Sequence, residues 1–261
     1  MSEVTQIVKK DRIPLFTAYR GQHLLNVLRC ATTLNNEITL QFTPENLSVD
    51  LMDLSHVAMI NLKLPMQYFY EWSAEFTGRI CVNLLDFIKD IKTLKNTELK
   101  FTYLEATERL EVKVTTPPNQ PITKTYVVLE DLGEEIPIPK IFFKSKTRIL
   151  ASPLKYAVDN ITTSEHVKLS TDEENLTISA SGDLGESKTV FRKGDDNTLD
   201  HRVEEPSEST YTLSYLKELL KPTVKISELI ALELSTDMPL KLEIELPIGS
   251  MTYHLAPCIG V

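Results

Sequence analysis

The sequence is poor in the features that most chemistry needs. Its three cysteines, Cys30, Cys81 and Cys258, are widely spaced and form no Cys-x-x-Cys pair. That spacing argues against a disulfide framework and a zinc site, and predicts buried structural thiols. The five histidines show no metal-ligand spacing. Neither Gly-x-Gly-x-x-Gly nor Gly-x-x-x-x-Gly-Lys-Ser/Thr occurs, so the usual phosphate-cradling loops are missing. Asp195-Asp196-Asn197 lacks the rest of a calcium loop. Asp53, Ser55 and His56 are triad residue types within four positions. On one extended segment they cannot converge as nucleophile, base and orienter, which come from separated segments. The expectation is a protein without catalysis, metal or cofactor.

Long apolar runs are missing too. None approaches the ~18–20 residues that span a bilayer, and residues 1–13 contain no apolar signal core. The expected location is intracellular: cytoplasmic and nucleoid-associated in an archaeon, nuclear in a eukaryote. Basic charge is in deficit, with 28 Lys and Arg against 37 Asp and Glu. Conventional DNA-binding domains are basic, but the field depends on where charges sit. Acidic clusters fall in apparent loops (Glu130-Asp131, Glu134-Glu135, Asp172-Glu173-Glu174, Asp195-Asp196, Glu204-Glu205), whereas several lysines fall in helix-like stretches.

What the chain does have is a long repeat. Glu45-Asn46-Leu47-Ser48-Val49 is answered by Glu174-Asn175-Leu176-Thr177-Ile178. At the same offset Leu25 meets Leu154, Leu84 meets Leu213, Phe87 meets Leu216, Ile91 meets Leu220 and Lys92 meets Lys221. Leu110/Val112/Val114 answers to Leu240/Leu242/Ile244, and Thr125-Tyr126 to Thr252-Tyr253. Solenoid units are only ~20–50 residues long, so this period means one domain fold used twice. A length of 261 residues, with 42% hydrophobic and 25% charged content, suits two folded domains.

Periodicity fills in each half. Leu24, Leu25, Leu28 and Ala31 fall at helical spacing, as do Leu84, Phe87, Ile88 and Ile91. Strands are predicted at 15–19, 38–42, 47–51, 57–64, 98–104, 109–115 and 122–130. In the second half Ser152 is read as a helix cap with Pro153 in the first turn. Leu213, Leu216, Leu219 and Leu220 mark a fourth helix, ended by Pro222. Strands are predicted at 167–170, 176–180, 229–234, 240–246 and 251–255. The reading is α+β: two tandem similar domains of antiparallel sheets with two helices each. Its bounds are an extension at 1–12, domain 1 at 13–130, a connector at 131–140 and domain 2 at 141–261.

Three stretches then resemble a known family. Met52-Asp53-Leu54-Ser55-His56-Val57 resembles the Met-Asp-x-Ser-His-Val segment of PCNA-type DNA sliding clamps, archaeal in style. Ser179-Ala180-Ser181-Gly182-Asp183-Leu184-Gly185 resembles their Ser-Ala-Ser-Gly-Glu-Leu-Gly segment. Tyr253-His254-Leu255-Ala256-Pro257-Cys258-Ile259 resembles their terminal Tyr-x-Leu-Ala-Pro-x-Ile. The resemblance implies a trimeric ring with pseudo-six-fold symmetry, helices lining the hole and sheets outside, encircling duplex DNA without reading its sequence. The ring would be a homotrimer or a heterotrimer with sibling subunits. Its clients would be DNA polymerase, clamp loader, flap nuclease and ligase, docking through short peptide motifs. It implies no catalytic chemistry and no cofactor.

The resemblance also implies site residues. The hole-lining cations would be Arg29, Lys89 and Lys92, Lys155, and Lys217 and Lys221, with Lys89/Lys92 and Lys217/Lys221 each sharing one helix face. Leu25, Asn26, Thr32 and Val158 stand where the family often carries basic residues, so a less positive hole is expected. Either sibling subunits supply charge or the ring tolerates the loss. The client groove would comprise Met52, His56, Val57 and Met59; Leu132, Ile136, Pro137 and Ile138 of the connector; Pro239; and His254, Ala256 and Pro257. Ring closure would pair an edge strand near 107–115 with a neighbour's strand near 186–192. A damage-signalling relative and a ring-less scaffold are the rival readings.

Overall fold

The computed structural model describes residues 11–131, 136–183 and 185–260. The first half contains β1 (Ile13–Ala18), α1 (Gly21–Ala31), β2 (Glu37–Phe42), β3 (Asn46–Met52), β4 (Ala58–Pro65), β5 (Glu71–Trp72), β6 (Gly78–Asn83), α2 (Leu84–Asp90), β7 (Glu98–Leu104), β8 (Arg109–Thr115) and β9 (Ile122–Val127). The second runs in the same order: β10 (Ser145–Leu150), α3 (Ala151–Asp159), β11 (His166–Thr171), β12 (Asn175–Gly182), β13 (Gly185–Arg192), β14 (Thr198–Val203), β15 (Ser207–Thr212), α4 (Leu213–Thr223), β16 (Leu229–Leu234), β17 (Leu240–Ile244) and β18 (Ser250–Leu255). The repeat in sequence is therefore a repeat in structure, element for element.

Each half builds two antiparallel sheets. The first gives β5-β1-β7-β8-β9 and β6-β2-β3-β4; the second gives β14-β10-β16-β17-β18 and β15-β11-β12-β13. At one place the halves fuse: β18 pairs with β4, setting Met251 opposite Leu62, Tyr253 opposite Ile60 and Leu255 opposite Ala58. All six side chains are buried, so this seam is core as well as ladder. Alternation drives the strands: Ile38, Leu40 and Phe42 of β2, and Leu47, Val49 and Leu51 of β3, point inward.

The helices cover the inner sheet faces. Leu24, Leu25, Val27 and Leu28 of α1 are buried, as are Leu213, Leu216, Leu219 and Leu220 of α4. Neighbouring helices pack in the order α2, α1, α4, α3. The Cys30 thiol of α1 lies 3.9 Å from the Thr223 hydroxyl of α4.

Several expectations need correction. Ser152 is not a cap; it is the exposed second residue of α3. The Ala151 N–H is instead taken by the Glu228 carbonyl at 2.8 Å, so the helix start is satisfied without a side chain. Pro222 lies inside the last turn of α4, which runs on to Thr223. Leu25 and Val158 are core residues, 3% and 0% exposed, so neither marks a lost cation on an open face. Cys258 is only half-buried, unlike Cys30 and Cys81. Through the β7–β8 and β16–β17 ladders, Tyr126 superposes on Leu255 rather than on Tyr253. The free edge of the first five-stranded sheet is β9, because β8 is paired on both sides by β7 and β9.

Candidate DNA-facing helices and outer groove

The six predicted cations sit on or beside the helix layer. Lys89 in α2 and Lys221 in the last turn of α4 are exposed, and Arg29 of α1 is half-buried. Lys155 is tied by an ion pair to Asp159 one turn along α3. Lys217 donates to the Ile161 carbonyl at 2.7 Å, so its charge is held between α4 and the end of α3. Lys92 does not share a helix face with Lys89. Helix α2 ends at Asp90, and Ile91 turns extended at ψ 110°. The repeat of Lys92 at Lys221 is thus a repeat of sequence, with unlike local backbone. Asp86, Asp90, Asp159 and Glu218 are exposed on the same helices. Asp90 is engaged by Lys124 at 2.5 Å and the Tyr126 hydroxyl at 2.9 Å, whose hydrogen bonds outweigh a small burial effect and hold its carboxyl low. The helix layer is therefore mildly cationic on a chain whose net charge is −9, a field suited to phosphates rather than base edges.

The groove residues gather on the opposite, outer face. Register places Met52 opposite Met59, Met59 opposite His254, and His254 opposite Lys241, one row across β3, β4, β18 and β17. Met59 and His254 are buried, so they form the floor. Burial keeps the His254 imidazole below its ordinary value, with Lys241 pushing it down further against the opposing pull of Glu233 and Glu243. Its Nδ1 has no hydrogen-bond partner among the described residues. Beyond it Lys146 and Lys241 link Glu233 and Glu243 at 2.6–3.3 Å. Burial pushes the Glu243 carboxyl up, but the two ammonium groups outweigh it and leave it low.

One side of the row is closed by the tail. The Ala256 N–H donates to the Val57 carbonyl at 2.8 Å, and the Cys258 N–H to Thr210 at 2.8 Å, with Pro257 held between them. Pro239 is half-buried beside Leu240, the partner of Leu255. At the β3 end of the row Met52, His56 and Ile136 line a cleft of about 260 Å³ with Arg79 and Asp131. Asp131 anchors the start of the connector, accepting from Thr39 at 2.9 Å and pairing with Arg79. Pro137 and Ile138 are exposed; Leu132 lies outside the described residues.

One residue shapes this site without having been read that way. The Asp53 carboxylate accepts from the N–H groups of Ser55 (3.1 Å), Val57 (2.7 Å) and Ala58 (2.6 Å), and from the Tyr215 hydroxyl of α4 (2.8 Å). Burial pushes this carboxyl up, but the hydrogen bonds outweigh it and hold it below the usual range. The clamp forces His56 into the left-handed region at φ 56°. Its signal was there: an aspartate in a short polar segment between two strands tends to accept the backbone N–H two residues on, an Asx turn. The same geometry disposes of the triad, since the Asp53 oxygens are taken by backbone N–H groups and the Tyr215 hydroxyl.

Comparison with known proteins agrees with the fold. Residues 137–258 match the model of the proliferating cell nuclear antigen C-terminal domain. The chain is 31% identical to a DNA polymerase sliding clamp of Methanococcus maripaludis over 240 residues, covering 89% of this chain and 94% of the relative. It is 27% identical to DNA polymerase sliding clamp 1 of Pyrobaculum aerophilum, covering 88% and 92%. The crystal structure of PCNA from Thermococcus kodakaraensis superposes with a TM-score of 0.86 at 22% identity, covering 93% of this chain and 99% of that one. The PCNA2–PCNA3 complex of Sulfolobus tokodaii gives 0.83 at 23% identity, with coverages of 94% and 98%. The chain belongs to the family of PCNA-type DNA polymerase sliding clamps.

Proposed function

We propose that this chain is a DNA sliding clamp subunit. It closes into a ring around duplex DNA and tethers DNA polymerase, with loader, flap nuclease and ligase as further clients, through the outer groove. The helices face the duplex and the sheets face outward. Arg29, Lys89, Lys92, Lys155, Lys217 and Lys221 supply the sequence-independent charge.

One observation carries the reading. The seam between the halves joins β18 to β4, and the corresponding strands β9 and β13 are left as free edges. A junction of β9 with β13 of the next chain repeats the internal seam, so the same rotation recurs until the ring closes. The ladders superpose Ile122, Lys124 and Tyr126 on Met251, Tyr253 and Leu255, and Thr189, Ser187 and Gly185 on Leu62, Ile60 and Ala58. Carried across, Ile122 meets Thr189, Lys124 meets Ser187, and Thr123 meets Lys188. No like charges oppose. Ile122, Val127 and Val190 are exposed apolar residues on these edges, a liability that pairing removes.

Both edges lie on one chain, so a ring of three copies is the simplest closure and a ring with sibling subunits the alternative. Light scattering should give a mass near three times 29.6 kDa, stable on dilution. A monomer at every concentration would refute self-closure and require sibling subunits. For the register, Thr123→Cys with Lys188→Cys should form an intermolecular disulfide. Thr123→Cys with Thr189→Cys should not, since a one-residue slip turns the side chain to the other face.

A further inference from the structure

A cavity of about 300 Å³ opens where the two halves meet, away from the groove residues. Tyr19, Arg20 and His23 line it from the start of α1, Tyr68 and Tyr70 from the segment after β4, and Ile248 from the β17–β18 turn. Two of its tyrosines are exposed and stacked: Tyr19 and Tyr70 are 51% and 62% accessible, with ring centroids 4.0 Å apart. Large aromatics left open in this way present a flat π-surface to solvent. His23 is already engaged: its Nδ1 lies 2.8 Å from the Tyr68 hydroxyl, and burial holds the imidazole below its ordinary value, with Arg20 lowering it further against a hydrogen bond to the Ile226 backbone. Arg20 is different: it is exposed and makes no ion pair among the described residues. Two carboxylates act on Tyr19: Glu98 and, less strongly, Glu71, which Thr17 and Lys100 already bind.

An aromatic platform beside an unpaired guanidinium matches a base joined to a phosphate. The cavity also lies at the end of α1, about 14 Å along that helix from Arg29. We propose that it is a single-stranded DNA site: one base stacks on the Tyr19–Tyr70 pair against Ile248, and Arg20 takes the adjoining phosphate. On a clamp it would hold the unpaired strand where it leaves the duplex. That placement rests on the sliding-clamp reading; the binding does not, because an oligonucleotide far too short to be encircled is sufficient.

The test uses the full chain and fluorescein-labelled (dT)8, read by anisotropy, with dTMP as competitor. Saturable binding is expected, at least tenfold tighter for (dT)8 than for dTMP. Tyr70→Ala should weaken it about tenfold. Arg20→Ala should lower the slope of log affinity against log salt by about 0.7, one phosphate's share on a single strand. Ile248→Glu, at a partly exposed position, should weaken binding with an unchanged melting temperature. Lys193→Ala, an exposed cation in the turn between β13 and β14 and outside the cavity, should leave it unchanged. Equal binding of dTMP, or binding indifferent to Tyr70 and Arg20, would overturn the proposal. So would binding of an aromatic peptide at the cavity with none of (dT)8. Ring mass and duplex retention, measured separately, test the clamp reading and are untouched by any of these results.

Discussion

Replacing Asp53 by alanine should both weaken the fold and disorganise the client groove. The carboxylate holds four donors within 2.6–3.1 Å. Without it the buried Ala58 N–H, the half-buried Val57 N–H and the Tyr215 hydroxyl lose their acceptor. A buried donor left unpaired costs about 1–3 kcal/mol, and water can reach the Ser55 end of the loop. The expected loss is about 3–4 kcal/mol. Asparagine keeps one oxygen for the backbone and should cost about 1–2 kcal/mol. Denaturant unfolding at neutral pH reads both values. The pH dependence adds a second check. Asp53 is held below its unfolded value of roughly 3.9. Its stabilisation is therefore complete above that value and is lost as pH falls through the folded one. The gap between wild type and Asp53→Asn should accordingly narrow in acid. A cost below about 1 kcal/mol for alanine, or a gap that does not change with pH, would refute the reasoning.

Other outcomes follow from the same structure. Of the three thiols, Cys30 is fully buried and pushed up to about 12 by burial, and Cys81 is buried and raised by the same cause. Ellman's reagent should therefore label one thiol per folded chain, Cys258, and three after denaturation. Burial holds both His23 and His254 below the ordinary imidazole value. Their unfolded forms take protons first, so stability should fall as pH drops below roughly 6.5, and His254→Tyr should reduce that fall in a melting series. Gly249 turns at φ +102°, and a Cβ there would meet the Lys63 carbonyl oxygen at 2.6 Å. Gly249→Ala should cost about 1–3 kcal/mol by straining the seam between the halves, measured as a shift in denaturation midpoint.

Much of the fold was legible because the repeat carried it. Leucines at matched offsets located both helix pairs, and alternation located most strands. Five strands, β5, β6, β10, β14 and β15, escaped reading, and two of them show why. β15 buries Ser207, Ser209 and Tyr211, so its inward face carries hydroxyls and no apolar alternation. β14 is mostly polar and pairs on one side only, with β10. The edge was misplaced by one strand because β8 and β9 both alternate, and only the ladder tells which is outermost. The helix cations were readable as residues but not as a surface. Leu25 and Val158 looked like gaps in a basic face until packing put them in the core. Lys217 and Lys155 looked free until their partners, Ile161 and Asp159, came into view. In the groove, register alone brings Met52, Met59 and His254 together, from positions about two hundred residues apart in the chain.

The central claim is topological: the protein stays on DNA because it surrounds it. The most direct test threads the purified protein onto a linear duplex, blocks both ends with a bulky protein, and washes with about 0.5 M salt, where phosphate contacts alone release. Retention on the blocked duplex, with release when a restriction enzyme cuts between the blocks, is the predicted result. Release in salt whether or not the ends are blocked would contradict encirclement.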